Sequence, residues 1–599
     1  MTSTRNVGPG AAPETSDSAR LPLSERVRLL HGVPTAIALA TVTLGLVDIV
    51  TALAPERAGR LRDLTKVVPL GVAQSASAVT LVAGILLVLL GQGLRRRKRR
   101  AWRGALALSV ITMVSHVIKG LDVEEASVTL VLMVLLILLS DQFYAAGDPR
   151  TRWRAPVVFV AMLAASFVLG YLLLVFRHDS VIGHPSVGGR LKEVAEGLVG
   201  LSGPIRFRDD GTADLVFAVL LSLGAATVLV TAYLILRSPE PVAALSDADD
   251  ERLRELLSGQ GERDSLGYFA LRRDKAAIFS ASGKAAVSYR VVSGVMLASG
   301  DPIGDPEAWP GAIAAFAREA RRHAWVPAVM GCSEQGGEVW VREAGLRALE
   351  LGDEAVLDID DFSLEGRAMR NVRQMVSRVE RAGYTTSVRR VGDLPTSEIA
   401  DLTRQAATWR GAEVERGFSM ALGRFGAAAD SDCVCVCAYS DGRLAALLHF
   451  VPWGRDGLSL DLMRRDREAD PGLNELMIVA AINAAPALGV CRLSLNFSVF
   501  RSALERGDRL GAGPVLRAWR AILLWASRWF QIESLYRFNA KFRPVWEPRF
   551  ICYPGAGDLP RIAIAALEAE AFIVGPKQLL VIRRARRQKP AAVVVPPDL

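Results

Sequence analysis

Several chemical signatures are absent from this 599-residue sequence, and each absence excludes a class of protein. No GxxxxGK[ST] phosphate-binding loop occurs, so an ATP- or GTP-dependent activity of that type is not predicted. The six cysteines form no CxxC pair, which argues against a structural zinc site and against a disulfide framework. We therefore expect neither a metal nor a cofactor.

Cysteine and histidine are also scarce, so candidates for a nucleophile or a base are few. The alternation Cys433, Cys435, Cys437 places three thiols on one face of a predicted strand, and we interpret it as core packing rather than metal binding. Only His323 and His449 follow residue 236. His449 is a candidate general base because the free imidazole titrates near neutrality, although a strand histidine can equally be structural.

Long apolar runs are confined to the first 236 residues and predict a helical membrane part. The N-terminus has no signal-peptide core, and residues 1–32 are predicted to form a disordered cytosolic tail. A membrane domain of about six transmembrane helices is predicted over residues 33–236. The predicted spans are Val33–Ala54, Val67–Leu90, Ala101–Leu121, Ala126–Phe143, Pro156–Phe176 and Leu215–Leu236.

Loop charge predicts how these spans are oriented. The basic run 95–100 lies between spans two and three, and three further arginines lie at 150–154, so both loops should be cytosolic. Six spans then place both termini in the cytosol of a bacterial cell with the spans in its inner membrane. Asp48, His116 and Lys119 could mark a lipid-translocation path, or they could pack and snorkel at span ends.

The positive charge is unevenly distributed. The net charge is +9, but residues 1–236 hold 24 Lys/Arg against 17 Asp/Glu, and the remainder holds 48 against 46. Any nucleic-acid affinity of the second part must therefore come from local patches. After a linker at 237–253, short strands alternate with amphipathic helices, which predicts two successive α/β units over 254–583 before a basic, disordered tail at 584–599.

Six stretches of the second part resemble the C-terminal domain of lysylphosphatidylglycerol synthases, the multiple peptide resistance factor group, over roughly 254–583. Their order and spacing carry the resemblance, which implies a tandem acetyltransferase-like (GNAT-like) fold behind the helical membrane part. The stretches are Asp274-Lys275, Gly300–Gly304, Leu351–Ala355, Phe362–Gly366, Asp461–Arg464 and Lys541–Arg549. Longer members carry additional N-terminal spans, so export of a product is not predicted for this chain.

The resemblance implies transfer of an aminoacyl group from aminoacyl-tRNA to a hydroxyl of phosphatidylglycerol. An aminoacyl ester is already activated, so the enzyme must position the hydroxyl, remove its proton and stabilise the oxyanion. We predict that Asp461 binds the ammonium of the amino acid and that Arg464 binds an anionic group. Lys541, Glu533 and His449 complete the predicted catalytic set, Glu533 being a possible base or a helix cap.

Further arginines are predicted to bind the tRNA backbone or lipid headgroups. On a predicted helix Leu364–Arg381, four arginines fall within an arc of about 80° at about 100° per residue, opposite a valine face. A second helix, Pro514–Gln531, repeats the pattern. The predicted substrate-binding residues are Arg367, Arg370, Arg378, Arg381, Arg517, Arg520, Arg543 and Arg549; solvated charge faces and ion pairs are the alternatives.

Three competing functions remain open from the sequence. An acyl-CoA-dependent acetyltransferase would need a glycine-rich pyrophosphate loop, for which Gly511-x-Gly513 is a poor match. A Fem-like transferase would add amino acids to cell-wall precursors. A lipid transporter with a regulatory soluble domain would not need Asp461, Arg464 or Lys541. The amino acid, the lipid acceptor and the oligomeric state are not determined by the sequence.

Overall fold

A computed structural model describes residues 23–53, 70–120, 123–143, 154–201, 203–236, 241, 243–411, 417–499 and 532–572. The chain divides into two compact units, with the boundary between Pro239 and Glu240. The described residues of the first unit are predominantly helical, and those of the second form an α/β domain. This division of secondary structure confirms the predicted fold class.

The first unit contains seven α-helices among its described residues. They are α1 (Leu23–Leu53), α2 (Leu70–Arg95), α3 (Arg99–Gly120), α4 (Val123–Leu138), α5 (Arg154–Phe176), α6 (Val187–Leu198) and α7 (Asp210–Leu236). Length and composition qualify Val33–Thr51, Pro156–Phe176 and Asp210–Leu234 as candidate spans. Spanning by α2, α3 and α4 stays a prediction, and the side chains of His116 and Lys119 lie outside the described residues.

Polarity in this unit is inverted relative to a water-soluble protein. Large apolar side chains face outward, with Leu138 72% and Phe176 79% exposed, whereas Asp48 is fully buried. Helices α1 and α2 approach closely where Gly45 faces Gly84, and a Cβ at either position would lie within 3 Å of the opposite backbone oxygen. Small residues at a helix crossing and an apolar exterior are typical of helices packed in a bilayer. The protein is therefore a membrane protein.

The second unit is built on one twelve-stranded mixed sheet. Its strands are β1 (Ala276–Phe279), β2 (Ala285–Val292), β3 (Val295–Ser299), β4 (Ile303–Gly304), β5 (Val326–Cys332), β6 (Arg347–Asp358), β7 (Thr385–Arg390), β8 (Val434–Ser440), β9 (Arg443–Trp453), β10 (Gly457–Arg465), β11 (Arg492–Val499) and β12 (Val545–Tyr553). Its helices are α8 (Asp247–Gln260), α9 (Trp309–His323), α10 (Glu334–Ala344), α11 (Arg370–Arg381), α12 (Thr396–Arg410), α13 (Leu473–Ala484), α14 (Ile532–Ala540) and α15 (Leu559–Ala569).

The same motif occurs twice in this sheet. Strands β1, β2 and β3 are antiparallel, and helix α9 then crosses to β5, which pairs parallel with β3. Strands β8, β9 and β10 repeat the antiparallel arrangement, and α13 crosses to β11, which pairs parallel with β10. Two such meander-and-crossover motifs in succession confirm the predicted tandem GNAT-like fold.

The two motifs exchange their closing strands. β6, which follows the first motif, pairs with β11 of the second, and β12, which follows the second, pairs with β5 of the first. β6 and β12 then pair antiparallel with each other at the centre of the sheet. Because each motif borrows a strand from the other, the second unit forms one continuous sheet.

Several element boundaries differ from the sequence predictions. The alternation of apolar residues predicts single strands over 268–279 and 286–298. The first stretch instead begins with a 3₁₀ turn, Gly267–Leu271, and the second is a hairpin. Its turn residues Ser293 and Gly294 both have positive φ, as a tight type I′ turn requires. The predicted helix 364–381 begins only at Arg370. Helix α8 begins at Asp247, inside the stretch interpreted as a linker.

Candidate active site

The strands β10 and β11 separate in the middle of the sheet. They are paired in parallel only where Gly457–Ser459 meets Arg492–Ser494. Beyond this point both strands carry an irregularity: β10 around Asp461 against β9, and β11 between Ser494 and Phe497 against β6. Bulges re-aim side chains and end pairing, so the two strands open a gap at this position.

The side chain of Asn496 bridges part of this gap. Asn496 adopts the left-handed conformation, with φ of 67°, and its Nδ2 donates to the carbonyl of Leu460. Its Oδ1 is buried and has no hydrogen-bond partner among the described residues. A buried, unsatisfied acceptor is unfavourable, which makes this gap a candidate for ligand binding. The polar Asn496 within an apolar strand was the sequence signal that could have identified it.

The structure brings together two of the predicted catalytic residues, Asp461 and His449. The Nδ1 atom of His449 lies 2.6 Å from Oδ2 of Asp461, and the backbone N–H of Leu422 donates to Oδ1 over 2.6 Å. The side chains are 1% and 5% exposed. The pair arises because Asp461 is the bulged residue of β10 beside the β9 position of His449.

The electrostatics of the pair correct the prediction for His449. Burial lowers the pKa of His449, but hydrogen bonding and charge at Asp461, and to a smaller extent at Cys433, raise it more, to about 10. The imidazole is therefore protonated at neutral pH and enclosed, so it does not fit the predicted role of a general base. It fits a role in holding the Asp461 carboxylate.

Lys541 lies at the N-terminus of helix α13. Its Nζ forms an ion pair with Oε1 of Glu475 over 2.8 Å, and its side chain is 40% exposed. The helix begins after Gly472, which has φ of 111° and supplies no side-chain cap. An uncapped helix N-terminus beside an ammonium group favours an anion such as a phosphate. Arg543, two residues on, is exposed.

Arg464 lies on β10 opposite Leu447, and Leu462 pairs with His449. Because strand residues two apart share a face, Arg464 is on the sheet face that carries His449. Its side chain is half-buried. The predicted Asp461 and Arg464 thus belong to one face of one strand.

Arg549 was predicted to bind substrate, but in the structure it is buried and holds the fold together. Its guanidinium is 2% exposed and donates to Oδ1 of Asp264 over 2.7 Å, to Ser265 Oγ over 2.8 Å, and to Glu354 through Nε over 2.9 Å. Burial lowers the pKa of Arg549, and the carboxylates of Glu354 and Asp264 raise it well above its ordinary value. Its ion pairs and hydrogen bonds join β12 to β6 and to residues 264–265.

The arginine stripe is partly as predicted. Arg370, Arg378 and Arg381 are exposed on α11, whereas Arg367 is exposed on the turn before the helix. The opposite face, with Val372, Val376 and Val379, is buried against α13 and the sheet. Arg517 and Arg520 lie outside the described residues, and only the backbone of Glu533 is described, in α14.

A buried cluster that no sequence motif indicated supports the segment that binds Asp461. Lys275 is fully buried, donates to the carbonyl of Phe269 and to Ser299 Oγ, and lies 4.7 Å from the ring centroid of Phe418. Glu570 accepts from the backbone N–H groups of Phe418 and Ser419. Segment 417–422 therefore links this cluster to Asp461. Lys275 belonged to a resembling stretch, but nothing local indicated its burial.

Three cysteines at the start of strand β8 pack in the core, as predicted. Cys433 directly precedes β8, and Cys435 and Cys437 lie within it. Cys433, Cys435 and Cys437 are all buried in one hydrophobic cluster on the same face of the sheet. The Sγ atoms of Cys435 and Cys437 are 3.3 Å apart. This confirms the interpretation as core packing.

Comparisons with known proteins agree with both units. The family model described as phosphatidylglycerol lysyltransferase, C-terminal, matches residues 254–553, and the one described as the transmembrane region of lysyl-tRNA synthetase matches 29–236. A bifunctional lysylphosphatidylglycerol biosynthesis protein, LysX, of Mycobacterium avium is 44% identical over 82% of this chain. Its counterpart in Rhodococcus opacus is 42% identical over 82% of this chain.

The chain spans 42% of the length of the first of these relatives and 44% of the second. Among solved structures, L-PGS from Bacillus licheniformis is similar over 56% of this chain and 98% of its own, with 21% identity and a TM-score of 0.45.

Proposed function

This chain belongs to the phosphatidylglycerol lysyltransferase family, and from that premise we propose that it transfers an aminoacyl group to phosphatidylglycerol. The donor is aminoacyl-tRNA, with lysine as the first candidate for the amino acid. The product carries an added positive charge, so the reaction lowers the negative charge of the membrane surface. The observation that carries the proposal is the polar gap between β10 and β11, with the buried Asp461–His449 pair on one side and Lys541 near α13.

Each group of the gap suits one part of the reaction. Asp461, held by His449, offers a fixed carboxylate toward the α-ammonium of the aminoacyl ester. Lys541 at the N-terminus of α13 suits the lipid phosphate, and Arg464 suits an anionic ester or phosphate. No nucleotide hydrolysis is required because the ester supplies the activation. Transfer then depends on positioning the hydroxyl and stabilising the oxyanion.

The arginines of α11 and the turn before it extend this surface. Three exposed guanidinium groups along a helix of 12 residues form a stripe of about 18 Å at about 1.5 Å per residue. Such a stripe suits the backbone phosphates of tRNA or anionic headgroups. We assign the membrane domain to 33–236 and the transferase domain to 254–583, with the latter in the cytosol, where charged tRNA is available.

The direct test is incubation of the purified full-length protein with radiolabelled lysyl-tRNA and phosphatidylglycerol vesicles. We expect labelled lysylphosphatidylglycerol, and parallel reactions with alanyl- and ornithyl-tRNA identify the preferred amino acid. Vesicles without phosphatidylglycerol are the control. No labelled lipid with any of these donors would overturn the proposal, whereas label in a cell-wall precursor instead would favour a Fem-like transferase.

A further inference from the structure

A cavity of about 600 Å³ lies at the opposite end of β10 from the gap, and nothing above gives it a role. It is formed between α8, the end of β7, and the turn that joins β9 to β10. Three arginines, Arg254, Arg390 and Arg455, and the carboxylate-bearing Asp432 line it. The cavity shares no lining residue with the Asp461–His449 pair.

Arg390 is held in place by neutral acceptors. Its Nη1 donates to the carbonyl of Asp432 over 3.2 Å and its Nη2 to the carbonyl of Leu488 over 3.0 Å. No carboxylate pairs with it within the described part of the chain, so its positive charge is not neutralised by an ion pair. A fixed guanidinium with remaining donors is suited to a phosphate.

Arg455 adds a second cation on the exposed turn between β9 and β10. It makes no hydrogen bond or ion pair among residues 243–411, 417–499 and 532–572. Asp432 at the rim offsets part of the charge, which leaves two guanidinium groups against one carboxylate. The part of the lining that Arg390, Arg455 and Asp432 form therefore carries net positive charge.

The remaining cavity walls consist of polar groups that are paired with one another and of apolar side chains. Arg254 pairs with Asp250 and Asp430, at 2.8 and 2.7 Å, and Arg424 also pairs with Asp430, at 2.6 Å, so these four charges balance. The hydroxyl of Tyr268 donates to Asp430 over 2.9 Å. The apolar lining comes from Leu257, Pro452 and Leu458. A cavity of this volume with an anion-binding end and an apolar wall has the composition of a small-ligand site.

We propose that this cavity binds a nucleotide unit, with its phosphate on Arg390 and Arg455 and its base against the apolar wall. In the reaction proposed above, on which this inference rests, the unit belongs to the single-stranded 3′ end of the aminoacyl-tRNA. Asp461 lies four residues along β10 from Gly457, about 13 Å at about 3.3 Å per residue. A few nucleotides span that distance, so the tRNA end can reach both places.

The test measures binding of uncharged tRNA to the full-length protein in detergent, because uncharged tRNA binds without any transfer reaction. We expect Arg390→Gln and Arg455→Gln each to raise Kd about 3- to 10-fold. Each should also lower the slope of log Kd against log salt by about 0.7, the value for one lost single-strand phosphate contact. Arg455→Gln removes no intramolecular contact, and Arg443→Gln, at an exposed position on β9, is the matched control.

A competition arm with free AMP identifies the ligand. AMP should displace the 3′ end from the wild type and have less effect on either variant. Unchanged Kd and unchanged salt slope in both variants would overturn the inference, even if the wild type transfers lysine. Weakened binding of phosphatidylglycerol vesicles with unaltered tRNA binding would also overturn it. Arginine-dependent tRNA binding without lipid product would leave the cavity assignment standing and remove the proposed function.

Discussion

Replacing Asp461 with asparagine isolates the buried ion pair at the gap. The substitution keeps the shape of the side chain and an acceptor for the N–H of Leu422 but removes the negative charge beside His449. Asp461, together with Cys433, raises the pKa of His449 from 6.5 to about 10, so the substitution removes a charge from a buried, charged pair. Because removing one partner of a buried pair costs about 3–5 kcal/mol, we expect a loss in that range.

The loss of stability caused by Asp461→Asn should depend on pH. The folded-state pKa of His449 is raised, so its contribution is fully present below pH 6.5 and is lost as the pH rises towards about 10. The difference between wild type and Asp461→Asn should therefore narrow over this window. Burial lowers the pKa of Lys275 to about 7, so this lysine makes the free energy of unfolding rise with pH. The wild type and the variant both contain Lys275, so its contribution cancels when their free energies of unfolding are subtracted.

The assay is the free energy of unfolding from urea titrations of the full-length protein in detergent, followed by tryptophan fluorescence between pH 6 and 10. Asp456→Asn is the matched control: Asp456 pairs with Arg492, but its side chain is 47% exposed, so its loss should cost less than about 1 kcal/mol. If Asp461→Asn lowers the free energy of unfolding by less than about 1 kcal/mol, or by an amount that does not change with pH, the charged pair is refuted. In the transfer assay we expect a loss of about 100-fold or more in kcat/KM.

Three further substitutions test the assignments. Arg549→Met leaves two buried carboxylates unpaired, so unfolding measurements should show a loss of about 3–5 kcal/mol; a neutral effect would contradict the structural role. Lys541→Met removes the ion-pair partner of Glu475, whose side chain is only 8% exposed, so unfolding measurements should show a loss of about 1–3 kcal/mol, and lipid transfer should fall about tenfold or more; full activity would contradict phosphate binding. Arg378→Gln with Arg381→Gln should leave stability within about 0.5 kcal/mol but reduce the salt dependence of tRNA or vesicle binding; an unchanged slope would contradict the stripe.

Local sequence identified most secondary structure in the second unit, and the failures have local causes. Periodicity predicts strands over 433–439, 444–450 and 458–463, where β8, β9 and β10 lie, because each stretch alternates or runs apolar between turn residues. It extended α11 back to 364 because Leu364 and Arg367 continue the helical spacing. Gly366 has φ of 81°, which ends that continuity, and no pattern of side chains announces a backbone angle.

Sequence separation explains which site residues could be placed from the sequence and which could not. Asp461 and Arg464 lie close in sequence and on one strand, β10, and their roles stay predictions. Arg549 was assigned to substrate because cations beside aromatics resemble a ligand surface. Its carboxylate partners, Asp264 and Glu354, come from segments 285 and 195 positions away, so its burial could not be anticipated.

The sequence by itself determined that a membrane part precedes an α/β part, because hydropathy and periodicity depend only on neighbouring residues. The resemblance of short stretches identified the family for the same reason. Tertiary structure alone decided that β6 and β12 exchange places, that His449 is protonated beside Asp461, and that Arg390 and Arg455 share a cavity. Such properties arise from contacts between distant segments, where burial and charge are set by residues that the linear pattern does not bring together.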